Sequence, residues 1–173
     1  THDQDEALAL SSRIAVFYNG NLEQVGTPNE VYERPSTPFV ARFIGNTNLI
    51  SGTLLSSDNS SAKVKLGDQK EVVIENSTAN GVPAGSKILV SIKPQALTMC
   101  FSESQNGLQS KVTSRSYLGA STEYVVKANL GVDLRVSSST GNGAHFDVGD
   151  DVAVDVDWNT CTILKEETSD LKA

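Results

Sequence analysis

The spacing of apolar residues changes character near residue 47. Beyond that point hydrophobic side chains recur at every second position, the period of a strand. Lys63-Val64-Lys65-Leu66 alternates. Ile88, Val90 and Ile92 point one way, and Leu89, Ser91 and Lys93 the other. Val132, Leu134 and Val136 oppose Asp133 and Arg135. Val152, Val154, Val156 and Trp158 share one side of a run whose other side is Asp151, Ala153, Asp155 and Asp157. Turn signals separate these runs at Gly67-Asp68, Asn80-Gly81, Asn106-Gly107, Gly141-Asn142-Gly143 and Gly149-Asp150. Many short strands with regular turns predict a barrel or sandwich, and alternation with one wet face predicts antiparallel pairing. No exact internal repeat is visible.

Residues 1–47 read differently, as helix and hairpin. Asp3 and Glu6 have capping-box spacing, and Ala7 to Leu10 continue as good helix formers up to Ser11-Ser12. Arg13 to Tyr18 and Leu22 to Val25 flank Asn19-Gly20, the preferred pair for a tight type I′ hairpin turn. Thr27-Pro28-Asn29-Glu30 combines a cap, a proline at the first helical position and a closing glutamate. That helix must stop near Arg34, because Pro35 biases its predecessor away from helix. Thr37-Pro38 opens a third helix over Phe39 to Ile44, with Gly45 placed to end it. Phe39, Val40, Phe43 and Ile44 make one apolar face of it.

Composition narrows the function classes. In 173 residues, acidic side chains outnumber basic ones 21 to 14, for a net charge of −7. Residues 1–47 carry 3 basic and 6 acidic groups, and residues 48–173 carry 11 and 15. A nucleic-acid binder needs a basic footprint, so no nucleic-acid partner is expected. Aromatic residues at 6% also argue against an oligonucleotide-binding barrel, which stacks bases on aromatic rings. The longest aliphatic runs, such as Val72-Val73-Ile74 and Ile88-Leu89-Val90, fall far short of the ~20 residues of a bilayer span. No signal-peptide core is expected. Cys100 and Cys161 are read as thiols in a reduced compartment, and two histidines, His2 and His145, are too sparse for a metal cluster.

Two polar constellations are candidate sites. His145 to Asp157 holds Asp147, Asp150, Asp151, Asp155 and Asp157 with no Lys or Arg. Hard cations prefer carboxylate oxygens, but the spacing is no EF-hand loop, and charges also blunt sheet edges. Ser114, Arg115, Ser116, Ser121 and Thr122 flank Tyr117-Leu118-Gly119. Hydroxyls with one arginine suit a small oxyanion, while serines in turns also bond their own backbone.

Several segments resemble ATP-binding-cassette (ABC) importer ATPases. Thr1-His2-Asp3-Gln4-Asp5-Glu6-Ala7-Leu8 resembles the histidine-loop segment of that family. Arg13-Ile14-Ala15-Val16, Asn19-Gly20, Glu23-Gln24-Val25-Gly26-Thr27-Pro28 and Val31-Tyr32 resemble the end of its nucleotide-binding domain. Ser12 stands where the family usually has Asp. Phe39 to Gly45 and Asn48-Leu49-Ile50 resemble the exit into a C-terminal regulatory domain. Ser91-Ile92-Lys93-Pro94, Tyr117-Leu118-Gly119, Gly149-Asp150-Asp151-Val152 and the strand carrying Trp158 resemble later landmarks.

The resemblance implies a mainly β fold: an OB-like β-barrel regulatory domain of the transport-associated (TOBE) type over residues 48–173, after a nucleotide-binding-domain tail over 1–47. It implies a regulatory and dimerisation region from an importer of polyamine or iron type, with sugar type next. His2 would be the switch histidine that senses the ATP γ-phosphate, inactive without the rest of its domain. No phosphate loop of the G-x-x-x-x-G-K-[ST] form occurs in the sequence, so this chain is not expected to be an enzyme. It needs no cofactor of its own, ATP and Mg²⁺ belonging to the parent protein. Implied partners are a second copy, membrane permease subunits and a second ATPase subunit. A small-molecule effector at Ser114, Arg115, Tyr117, Gly119 and Ser121 is the alternative, as in an OB-fold sensor of oxyanions or cations. The implied location is cytoplasmic, peripheral on the inner face of the membrane. Residues 1–47 are expected either to swap between chains or to fold back on the barrel.

Overall fold

A computed structural model describes residues 4–67, 70–75, 79, 81–101, 107–140 and 144–166. It begins with helix α1 (Gln4–Leu10), then strands β1 (Ile14–Tyr18) and β2 (Asn21–Gly26), which form their own two-stranded sheet. Asn19 and Gly20 both have positive φ, 49° and 82°, as the tight turn requires. Helix α2 (Pro28–Glu33) has the full capping box. Thr27 Oγ1 accepts from the Glu30 N–H, and the Glu30 carboxylate accepts from the Thr27 N–H at 2.8 Å. Helix α3 (Pro38–Gly45) starts on a Thr37 cap. Gly45 lies inside this helix rather than ending it. The left-handed residue that closes it is Asn46, φ 49°, whose N–H donates to the Arg42 carbonyl. Asparagine tolerates this conformation, so a glycine is not needed there.

These elements have a small core of their own. Ile14, Val16, Val31, Val40 and Ile44 are buried together. The α3 face read from the sequence is only half inward: Val40 is fully buried, while Phe43 is exposed.

The β part makes two five-stranded antiparallel sheets. One contains β3 (Asn48–Ser57), β4 (Ser61–Leu66), β5 (Lys70–Glu75) and β6 (Lys87–Ile92). The other contains β7 (Leu97–Cys100), β8 (Leu108–Tyr117), β9 (Ser121–Ala128), β10 (Asp133–Ser139) and β11 (Asp151–Val156). The chain then returns, and β12 (Thr162–Lys165) joins the first sheet beside β6. The orders are β12-β6-β3-β4-β5 and β10-β9-β8-β11-β7. Side chains from both sheets, among them Leu54, Ile74, Val90, Val126, Leu134 and Val154, fill one continuous core. Burying each such side chain is worth about 1.5–3 kcal/mol, so this core dominates the fold. The result is a mainly β, nearly closed OB-like barrel, as expected from the sequence.

Glycine serves a packing purpose in β3. A side chain at Gly52 would meet the Lys65 carbonyl oxygen and the Leu66 and Val64 side chains, each at 3.0 Å, where β4 curls over it. Two expectations change. Trp158 is not on a strand. It starts a 3₁₀ turn, Trp158–Thr160, because Asp157 caps that turn by accepting from the Asn159 N–H; Trp158 still packs, half-buried, against the core. And β6 has no wet face, for the reason given next.

Candidate functional site

The outer face of β6 carries Leu89, Ser91 and Lys93, and all three are buried. What covers them is the first part of the chain. Ala41 of α3 packs with Leu89 and with Leu164 of β12. Residues 4–46 therefore fold back onto their own barrel. The alternation in β6 was legible, but the covering helix was not, since its contact residue is a lone alanine.

Lys93 sits at the end of this seam, nine-tenths buried and ion-paired with the half-exposed Glu33 of α2. Its ammonium lies 4.7 Å from the centroid of the Tyr32 ring, a cation–π placement. The Tyr32 hydroxyl in turn accepts from the Gln95 amide at 2.8 Å. Next to the pair lies a cleft of about 520 Å³ walled by Asn29, Glu30, Glu33 and Arg34 on one side and Asn159 to Thr162 on the other. Cys161 lines it, and its thiol donates to the Asp157 carbonyl at 3.4 Å. Burial first, and then the neighbouring Asp157 charge, push this thiol up to about 12, with Lys93 pulling the other way. Cys161 is thus held protonated while buried here, and neither it nor the half-buried Cys100 is in a disulfide.

The turn around Tyr117-Leu118-Gly119 projects into solvent. Gly119 has φ 83°, and Tyr117 and Leu118 are 65% and 59% exposed. Ser114 is exposed and Ser121 half-buried. Arg115 already has a partner, Asp147, at 3.0 Å. An oxyanion at this turn would have to displace that carboxylate. His2, the remaining site residue inferred from the sequence, lies outside the described residues.

The acidic run is likewise engaged locally. Asp147 holds Arg115, Asp150 accepts from the Asp147 N–H at 2.8 Å, Asp151 pairs with Lys111 at 2.9 Å, and Asp157 caps the 3₁₀ turn. Among the described residues, no group of three or more metal-ligating side chains occurs.

A further slot, of about 260 Å³, opens between β7 and β10, the two ends of the second sheet. Thr98, Ser137, Ser138 and Ser139 line it with hydroxyls over a floor that includes Met99 and Phe146. In the first part of the chain, the β1–β2 hairpin exposes Phe17, Leu22 and Val25, and Tyr18, Phe39 and Phe43 form a ring stack with centroids 4.2 and 5.4 Å apart. Clustered exposed apolar surface of this kind marks an interaction face. Among the described residues, no helix is long and apolar enough to cross a membrane.

Residues 90–164, from the end of β6 to β12, match the TOBE domain family. The chain as a whole is related to TOBE-containing ATP-binding proteins of ABC importers. It is 38% identical to the spermidine/putrescine import ATP-binding protein PotA 1 of Pseudomonas aeruginosa, over 95% of this chain and 44% of that protein. The corresponding protein of Trichodesmium erythraeum is 35% identical over 79% of the chain and 38% of its own length. The Fe(3+) ions import ATP-binding protein FbpC of Fusobacterium nucleatum is 28% identical over 98% of the chain and 44% of its own length. The chain therefore spans less than half the length of these curated relatives. Among solved structures, the molybdate-bound form of the cytoplasmic molybdate-binding protein ModG aligns with TM-score 0.58 at 15% identity, over 69% of this chain and 96% of that one. At that identity the likeness is one of fold.

Proposed function

We propose that this chain is the regulatory and dimerisation region of the ATP-binding subunit of an ABC importer of polyamine or ferric-iron type. The parent couples ATP hydrolysis, with Mg²⁺, to solute uptake at the cytoplasmic face of the membrane, alongside permease subunits and a second ATPase subunit. This region hydrolyses nothing by itself. It holds paired ATPase subunits together while their sites open and close.

The observation that carries this reading is the reach of the similarity. It extends over nearly the whole chain rather than the barrel alone, and residues 4–46 are docked on the barrel with an aromatic face turned outward. That face is suited to lie against the rest of an ATPase domain, leaving the barrel to meet its counterpart in a second subunit.

Sedimentation equilibrium with and without spermidine, molybdate and ATP tests the reading. A ligand-independent dimer is expected. A monomer that responds to only one of the small solutes would overturn it in favour of a second reading, a small-ligand sensor of OB fold. The hydroxyl-lined slot between β7 and β10 is the observation that favours this alternative, with the open turn at Ser114, Tyr117, Gly119 and Ser121 as a second place for an effector.

A further inference from the structure

The residues before β3 and the barrel have separate hydrophobic cores that share no residue. Between them lies a thin seam of Ala41, Leu49, Leu89 and Leu164. At one end of that seam is a charge. Lys93 is nine-tenths buried and is ion-paired with Glu33, on the other side of the seam. A body with its own core, joined through a small apolar contact, opens at the joint before either core melts. A buried ammonium parted from its carboxylate is costly, so the joint opens as a step rather than by gradual loosening.

We infer that Glu33–Lys93 is a latch, and that residues 4–46 undock from the barrel as one unit when it is released. The barrel remains folded in the undocked state. Lys93 is the single residue between β6 and the 3₁₀ turn Pro94–Ala96 that leads to β7, so release at α2 is felt directly at the crossing between the two sheets. Lys93 and Glu33 are positioning residues in this device. Neither is assigned any chemistry, and the inference does not depend on the importer reading.

Cys161 reports on the joint, because α2 forms the opposite wall of the cleft that it lines. In the 173-residue chain carrying Cys100→Ser, maleimide labelling of Cys161 is followed beside amide exchange of the barrel strands. Labelling is expected to proceed through an opening more populated than the one that exchanges β3, β6 and β11 amides. Equal openings in the two measurements would overturn the proposal, and this comparison needs no latch variant. Glu33→Gln should speed labelling by about tenfold or more while leaving β8–β9 amide protection unchanged. Combining Glu33→Gln with Lys93→Met, which removes the orphaned charge, should return labelling toward the parent rate. A merely structural ion pair would instead lower barrel protection in parallel with labelling, or leave the double variant as fast as the single one; either result rejects the latch.

Discussion

The Asn48 side chain and the Arg135 backbone are joined by two hydrogen bonds that close a ring between the sheets. Asn48 Nδ2 donates to the Arg135 carbonyl at 2.9 Å, and the Arg135 N–H donates to Asn48 Oδ1 at 2.7 Å. The second amide hydrogen goes to the Ile92 carbonyl at 3.2 Å. One buried amide thus stands in for a strand along the free edge of β10. Asn48→Ala should cost about 2 kcal/mol, since it removes these bonds at a buried site. Asn48→Asp should cost more, because a carboxylate cannot donate to either carbonyl. Urea unfolding of the two variants checks both the size and the order.

Gly52→Ala is expected to destabilise by about 1–3 kcal/mol. Backbone conformation is not the reason. The new methyl would sit 3.0 Å from the Lys65 carbonyl oxygen, which belongs to the ladder and cannot rotate away. Gly81→Ala should also lose stability, but through its φ of 80°, with open space around it. Thermal melts of the pair distinguish crowding from conformation if a third variant, Gly81→Asn, recovers part of the loss.

Acid titration should find depressed carboxyls, among them two held down by hydrogen bonds from their own turns. The Ser60 N–H, then the Ser60 hydroxyl and the Ser61 N–H, hold the Asp58 carboxyl down to about 2 from an ordinary 3.8. The Thr27 N–H and hydroxyl lower Glu30 in the same way. A carboxyl lowered by folding contributes stability in full above its unfolded value. For Asp58 that contribution is lost as pH falls from about 3.8 through about 2. Carbon-13 NMR of the side-chain carboxyls should give an Asp58 midpoint of about 2, and Ser60→Ala should raise it part of the way back.

Asp147→Asn separates the competing readings of the Tyr117 turn. Stability should change by no more than ~0.5 kcal/mol, because the Asp147 end of the pair with Arg115 is largely solvated. The unsubstituted chain should give no saturable heat with molybdate or sulfate, since Arg115 is occupied. Heat appearing only in the variant would show that the turn has the donors for an oxyanion and that Asp147 keeps it shut.

Replacing Phe17 with Ser and Leu22 with Gln, which face each other across β1 and β2, should leave the barrel-mediated dimer intact and reduce association beyond the dimer at high concentration. Both side chains are more than half exposed, so the melting temperature should barely move. Light scattering and a thermal scan on the same sample decide this.

Local chemistry made much of this fold legible. The Asn19-Gly20 turn, the Thr27 capping box and the alternation in β4 and β10 each follow from rules that act within a few residues. Pairings between distant segments left weaker traces. Nothing near Lys93 announces Glu33, and nothing near Asn48 announces Arg135, because both partners come from sequence-remote elements. Gly45 shows the same limit at short range: a glycine at the expected stop is a signal, yet the neighbouring Asn46 takes the left-handed turn. Arg115 had the right chemistry for an anion, but its commitment to Asp147 depends on a loop thirty residues away crossing β8.

The late return of β12 bears on how the polypeptide acquires its shape during synthesis. Thr162 pairs with Ser91 and Lys165 with Ile88, so the first sheet cannot be finished until the whole second sheet has been translated. On a ribosome, β6 waits with one edge bare while some seventy residues emerge, a long-range closure that slows folding. The nascent chain is most prone to mispairing in that interval, while the β6 edge that later takes β12 offers unpaired N–H and C=O groups.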